Sequence, residues 1–338
     1  MKFNISEKYN EPLEVAIEAV RQACIITKNI QKKLKKSEIE TKADSSPVTI
    51  ADYAAQAIIL NHLNHKLEKN YTVIAEEDIS SLELRHNKNL LSRIVEETKS
   101  IWPGVTNKKI LESINSGSLI SNENRFWTLD PVDGTKGFIR KQQYSISLAL
   151  IENGSVEMGI LGCPNIEVPT KNLDRMTEGY GTIFFSLKGH GCHQISLNSS
   201  NLKIQKIVAR SVSEASELVA CESVESMHSR INMGGKIIQA VGSRQKPIRA
   251  DSQCKYAMVA IGAADIYLRL PTNPNYEEKI WDHAAGKIIA EEAGAIVSDI
   301  RGNRLRFDQG ATLKQNEGIA CSIKEYHRTL IDNIDHYM

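Results

Sequence analysis

No stretch of this chain approaches 18 consecutive apolar residues, so no segment suits a bilayer-spanning helix. The first ten residues are polar and mixed in charge, without the basic-then-apolar layout of a secretory signal. Charge of one sign is not in excess either. The 42 lysines and arginines balance 41 aspartates and glutamates, for a net charge of +1. That argues against a protein that coats nucleic acid or an anionic membrane by bulk charge, while leaving room for a local basic pocket. There is no Cys-x-x-Cys pair. The six cysteines, Cys24, Cys163, Cys192, Cys221, Cys254 and Cys321, lie no closer than 29 residues apart. Zinc ribbons and thioredoxin-type redox motifs are thereby excluded, and buried, reduced thiols in a cytoplasmic protein are expected. Internal repeats and low-complexity tracts are also lacking.

What remains is an ordinary globular composition, 41% apolar and 25% charged, over 338 residues. That length suffices for two modest domains. Apolar residues recur at helical spacing over 12–36, among them Leu13, Ala16, Val20 and Ala23. A second helix is predicted over 49–67, with Thr49 as N-cap and Asp52 three residues on. Residues 71–75 are β-prone and end at Glu76-Glu77-Asp78; helices flank Trp102-Pro103-Gly104 within 80–122. Strand-like runs follow at 125–129, 144–151, 156–163, 179–185 and 191–195, with Asn153-Gly154 as a hairpin signal. Beyond about residue 203, strand-like runs at 207–210, 218–221, 237–241 and 266–270 alternate with helical ones at 226–231, 252–262 and 282–293. A division into an α+β part, 1–200, and an α/β part, 201–338, is therefore expected, with the boundary in the polar loop 196–201.

The chemistry concentrates in Trp127-Thr-Leu-Asp130-Pro131-Val132-Asp133-Gly134-Thr135-Lys136-Gly137-Phe138. Here a strand delivers two carboxylates, three residues apart, onto a turn broken by proline and glycine. Carboxylates so close repel unless a cation lies between them, and oxygen ligands suit Mg²⁺. Backbone N–H groups after Asp133 can face an anion. Glu76 directly follows a strand, Asp52 lies in a first helical turn, and Asp282 opens Trp281-Asp-His-Ala-Ala-Gly286. Each also has an ordinary reading: a solvated turn for Glu76, a capping box for Asp52, an N-cap for Asp282, an Asx-type turn for Asp130 and Asp133. The pairs His62/His65 and His190/His193 lack a third ligand nearby and read as structural.

Taken in order, these segments resemble the lithium-sensitive phosphatase superfamily that includes inositol monophosphatase and fructose bisphosphatase. Within it the chain is most similar to the 3′(2′),5′-bisphosphate nucleotidases, from about residue 10 to 325. The resemblance is carried by Ser46-Pro-Val-Thr-Ile-Ala-Asp52-Tyr-Ala-Ala-Gln56, Asp130 to Phe138, Cys221 to Ser229, Asp251-Ser-Gln-Cys-Lys255-Tyr, Tyr267-Leu-Arg269-Leu-Pro271 and Glu278-Lys-Ile-Trp-Asp282-His. One departure is Ala75, where the family usually has glycine; it removes no ligand, so activity is expected to survive.

The resemblance implies a five-layered αβαβα sandwich. It implies that Glu76, Asp130, Asp133, Asp282 and the carbonyl of Val132 hold two or three Mg²⁺. Asp52 and Thr135 would orient and deprotonate the attacking water, with Glu76 also at the catalytic centre. Gly134 and Thr135 would contact the scissile phosphate. Glu225, Ser226, His228, Ser252, Lys255 and Arg269 would bind the nucleotide. Lys255 and Arg269 supply cations for phosphates, the arginine in the fork geometry that matches an oxyanion. The implied activity is Mg²⁺-dependent, lithium-inhibited hydrolysis of the 3′-phosphate of adenosine 3′,5′-bisphosphate and of its sulfated relative, 3′-phosphoadenylyl sulfate. Attack would be direct, since no cysteine or histidine nucleophile of phosphatase type stands out. An inositol phosphate or polyphosphate phosphatase, or a nucleotide sensor without turnover, would be the alternatives. The expected partner is a small nucleotide, with no nucleic acid and no membrane; the oligomeric state is left open, and a monomer is compatible.

Overall fold

In the computed structural model the described residues are 7–34, 39–41, 47–67, 72–79, 88–117, 124–168, 179–198, 203–224, 231–273 and 276–338. The helical spacing at the start of the chain becomes α1 (Glu7–Lys33), which buries Leu13, Ala16, Ile17, Val20, Cys24 and Ile30 along one face. A short antiparallel pair, β1 (Ile39–Thr41) and β2 (Pro47–Thr49), leads into α2 (Ile50–Lys66). Thr49 caps α2, and the predicted capping box with Asp52 is present. Then come β3 (Thr72–Ala75), α3 (Lys88–Thr98), α4 (Asn107–Asn115), β4 (Arg125–Asp133) and the short α5 (Thr135–Ile139).

Strands β5 (Ser145–Glu152), β6 (Ser155–Cys163), β7 (Thr182–Leu187), β8 (Cys192–Ser196) and β9 (Ile204–Ile207) extend an antiparallel meander from β4. With β3 parallel to β4 at one edge, they form a seven-stranded sheet in the order β3-β4-β5-β6-β7-β8-β9. Asn153 and Gly154, both at positive φ, make the predicted β5–β6 turn. The sheet runs past the expected boundary at 200, because Ile204–Ile207 pairs with Cys192–Ile195.

A second sheet has the order β11-β10-β12-β14-β13. Its strands are β10 (Ala220–Glu222), β11 (Ile248–Arg249), β12 (Ile266–Arg269), β13 (Ala295–Ser298) and β14 (Ile319–Ile323). Between them run α6 (Ile231–Val241), α7 (Cys254–Ala260) and α8 (Ala284–Glu292), and α9 (Lys324–Tyr337) follows β14.

Helices α1 and α2 cover one face of the large sheet, and α8 covers the other. Helix α7 lies beside α8 and against the small sheet, whose far side carries α9, with α6 packed on it. The succession is αβαβα, five layers, as the resemblance implies. Both faces of the large sheet are buried, and its strands alternate accordingly. Trp127, Leu129, Leu148 and Leu150 enter the core under α1 and α2, whereas Phe126, Ala149 and Ile151 enter the central core with Tyr256 and Ile288. A third core joins Leu268 and Ile323 to Ile237 and Leu330.

Two expectations fail. Residues 237–241 form the end of α6, not a strand: Met233, Ile237 and Val241, four apart, pack into the third core. A short apolar run carries no reliable period by itself. In the 207–210 run only Ile207 is in a strand, the last residue of β9. All six cysteines are free and buried. His62 meets the side-chain oxygen of Gln22 at 2.7 Å, and His193 stacks on Phe185, in keeping with structural roles.

Candidate active site

Strands β3 and β4 run parallel, so their C-terminal ends open at the same edge. There the N–H of Glu76 donates to the carbonyl of Leu129 at 3.0 Å, which fixes Glu76 beside the end of β4. On β4, Asp130 pairs with Ser147 and Asp133 with Ser145, so the strand gains one residue over its partner between them. In a regular strand, positions three apart face opposite sides. The added residue resets that alternation at Pro131-Val132. Asp282 arrives from another direction, as the last residue of a 3₁₀ turn (Ile280–Asp282) whose successor, His283, precedes α8. Carboxylate oxygens of Asp130, Asp133 and Asp282 lie within 4.8 Å of one another.

Such a cluster is electrostatically unfavourable unless protonated or bound to a cation. Burial raises Asp130 well above the ordinary carboxylate range, and Glu76, Asp133 and Asp282 add to the rise. Burial likewise raises Asp282, helped by Asp133 and opposed by Arg269. Asp133 is pushed up to about 6 by burial, against the opposing effects of Lys255, the Gln253 N–H and the Ser145 hydroxyl. The last two donate to Asp133 Oδ2 at 2.5 and 3.1 Å. Buried, converging carboxylates are the donor set a hard divalent cation requires, so these residues fit a metal.

Asp52 is fully buried at the start of α2 and uses its two oxygens differently. Oδ2 accepts from the Thr49 N–H and hydroxyl, each at 2.8 Å. Oδ1 faces the Thr135 hydroxyl at 3.4 Å, and that hydroxyl also lies 3.1 Å from the Val132 carbonyl. The capping and catalytic readings of Asp52 are therefore compatible. Gly134, at φ +86°, turns the chain from β4 into α5 and so places Thr135.

Gly137 sits where a Cβ would lie 2.3 Å from the carbonyl oxygen of Gln143. Gly137→Ala must therefore shift backbone in α5 or at Gln143, and a loss of about 1–3 kcal/mol in unfolding free energy is expected. Denaturant unfolding checks this; a midpoint equal to the parent's would refute it. Ala75, the departure noted in the sequence, is accommodated because Gly117 lies against it: a Cβ on Gly117 would come within 2.9 Å of the alanine methyl.

The second half of the chain closes the site. Ser252, at φ +70°, abuts Gly134. Lys255 is buried; its ammonium donates to the Ala250 carbonyl at 3.2 Å and lies 5.1 Å from the centre of the Tyr267 ring. Burial lowers its pKa, while Asp251 and Asp133 oppose the fall. Arg269 makes a two-pronged ion pair with Glu278, both contacts at 2.8 Å. Glu278 Oε2 also meets His283 Nε2 at 3.1 Å, and His283 Nδ1 meets the Tyr256 hydroxyl at 3.0 Å. Burial pushes Glu278 up, but Arg269 and His283 outweigh it and hold the group at about 2. Glu278, Asp282 and His283 could also gather around a metal. Glu278 and His283 are already engaged in this ion-pair chain, so the Asp130–Asp133–Asp282 group is the better centre. Sequence reasoning missed Glu278, His283 and Tyr256 as a unit; Glu278 and Asp282, four apart, were its one visible signal. Glu225, Ser226 and His228 lie outside the described residues.

The carboxylate cluster lies at the seam of a five-layered αβαβα sandwich, and the family and relatives that follow make the protein a phosphatase. The inositol monophosphatase family model matches residues 8–338, and the chain belongs to that family. It is 40% identical over 328 residues to a 3′(2′),5′-bisphosphate nucleotidase of Dictyostelium discoideum, with 95% of each chain covered. A Schizosaccharomyces pombe protein of the same name is 39% identical over 334 residues, covering 94% of this chain and 93% of that one. Among solved structures, an inositol monophosphatase from Thermotoga maritima superposes with a TM-score of 0.64 at 20% identity, covering 96% of this chain and 97% of that one. CysQ from Bacteroides thetaiotaomicron, a bacterial member of the family, gives 0.61 at 21% identity, with 94% and 99% covered. These last two likenesses speak for the fold.

Proposed function

We propose that this enzyme hydrolyses the 3′-phosphate of adenosine 3′,5′-bisphosphate, and of 3′-phosphoadenylyl sulfate, in a Mg²⁺-dependent, lithium-inhibited reaction. The observation that carries this reading is the near-full-length identity of about 40% to proteins named 3′(2′),5′-bisphosphate nucleotidase. Glu76, Asp130, Asp133, Asp282 and the Val132 carbonyl would hold two or three Mg²⁺. When bound, the cations screen the phosphate dianion and acidify water. Thr135 orients the attacking water and takes its proton, passing its own to Asp52 Oδ1, which lies 3.4 Å away. Gly134 and Thr135 hold the scissile phosphate through backbone N–H groups. Ser252 donates to a phosphate, and Lys255 and Arg269 supply positive potential from the buried side of the seam. Glu225, Ser226 and His228 would contact the nucleoside.

The test is phosphate release from adenosine 3′,5′-bisphosphate and inositol 1-phosphate, side by side in Mg²⁺. The nucleotide is expected to turn over at least about tenfold more efficiently. Preference for the inositol ester would move the chain to the other branch of the family. Nucleotide binding without release would mean a sensor. In the same assay Li⁺, close to Mg²⁺ in size but half its charge, should inhibit, whereas K⁺ should not. Equal responses to the two ions would remove lithium inhibition from the proposal.

A further inference from the structure

We propose that Gln253 is a positioning residue for the carboxylate cluster, tying together the segments that bring Asp130, Asp133 and Asp282 to one point. The inference rests on the reading that this cluster holds a divalent cation. Gln253 is buried just before α7 and uses both its backbone and its side chain. Its N–H donates to Asp133 Oδ2 at 2.5 Å. Its side-chain Nε2 donates to the Ser147 hydroxyl at 2.6 Å and to the Trp281 carbonyl at 2.8 Å. Its Oε1 accepts from the Gly286 N–H at 2.8 Å.

Each partner adjoins a ligand. Ser147 stands opposite Asp130 in the β4–β5 ladder. Trp281 immediately precedes Asp282, and Gly286 lies in the first turn of α8, the helix that follows it. The amide orientation is fixed by its neighbours, since the Trp281 carbonyl can only accept and the Gly286 N–H can only donate. Both Nε2 hydrogens and the carbonyl oxygen are thus in use, in a site where an unmade bond would be costly.

The chemistry of the group suits the place. Three carboxylates repel, and Asp282 reaches them on a short 3₁₀ turn rather than within a sheet. A positioning group must therefore fasten that turn without adding charge. A carboxylate would add a further negative charge, and an ammonium would compete with the cation for ligands. A primary amide is neutral and both donates and accepts. The left-handed backbone at Ser252 precedes the Gln253 N–H that meets Asp133.

The test uses the full chain and Mn²⁺ as probe, with free Mn²⁺ followed by electron paramagnetic resonance in the absence of substrate. Gln253→Met keeps the length of the side chain and removes its hydrogen bonds. Ser147→Ala removes one partner only. Mn²⁺ affinity is expected to fall at least about tenfold in Gln253→Met and about threefold in Ser147→Ala. In turnover, the Mg²⁺ needed for half-activation should rise while KM for the nucleotide at saturating Mg²⁺ stays within about twofold. A purely structural role would instead lower the yield of folded protein without changing the affinity of the molecules that fold. If the parent protein failed to bind Mn²⁺, the metal reading would fall and the positioning role with it. If the parent binds and the folded variants bind within about twofold of it, the positioning role alone is overturned. Should Gln253→Met not fold, Ser147→Ala decides by the same criterion.

Discussion

Asp133→Asn is expected to lose at least about 10²-fold in turnover at the parent's saturating Mg²⁺. The substitution preserves shape, and an asparagine oxygen can still accept from the Gln253 N–H and the Ser145 hydroxyl that hold Asp133 now. What it removes is one negative charge from a cluster in which burial and like charge already raise Asp130 and Asp282. The same change therefore acts oppositely on two measurements. Cation affinity and turnover fall. The melting temperature of the chelator-treated protein holds or rises, because one source of repulsion is gone. Calorimetry in chelator, alongside turnover against Mg²⁺, separates this from misfolding. Unchanged turnover, or a lower melting temperature in chelator, would remove Asp133 from the ligand set.

The second large effect belongs to Asp52. Asp52→Asn should reduce turnover by about 10³-fold while leaving nucleotide affinity within a few-fold. Asparagine can still accept from Thr49 and so preserves the capping box of α2, whereas alanine would lose both its half of that box and the proposed base. Thr135→Val should fall by a similar factor, since in the proposed mechanism the two side chains form one proton path. The double variant should then be little worse than either single one. Multiplication of the two losses would show that the residues act independently, and the shared path would be wrong. Equal losses of affinity and turnover in Asp52→Asn would make it a binding residue.

Much of this centre was legible in the sequence because its parts are local. The Asp130–Asp133 turn, the strand end before Glu76 and the Thr49–Asp52 cap are each set by residues within a few positions of one another. The bulge between Asp130 and Asp133 was not legible: the strand reading stopped at 129, where β4 in fact runs through Pro131 to Asp133. The chain of Tyr256, His283, Glu278 and Arg269 was not legible, since it joins α7 and β12 to the segment 278–283 through tertiary packing. Arg269 illustrates the limit. Its type suggested a phosphate partner, yet the nearest anion in the fold is a carboxylate nine residues later in its own chain. The strand reading of 237–241 failed for a related reason. Five residues span barely more than one helical turn, and the contact that decides their period, with α9, lies far ahead in the sequence.

The position of β14 has a consequence for how the molecule is made. This strand, Ile319–Ile323, lies inside the small sheet, hydrogen-bonded to β12 on one side and β13 on the other. On the ribosome, β12 can pair with β10 at once, but its other edge and β13 must wait for a partner encoded about fifty residues after β12 and twenty after β13. The large sheet needs no such delay, since each of its strands from β4 to β9 pairs with the one made just before it. In a nascent chain the β4–β5 pairing that carries Asp130 and Asp133 can therefore form before the small sheet is complete. Translation that halts before residue 319 would leave the β14-facing edge of β12 open to other chains.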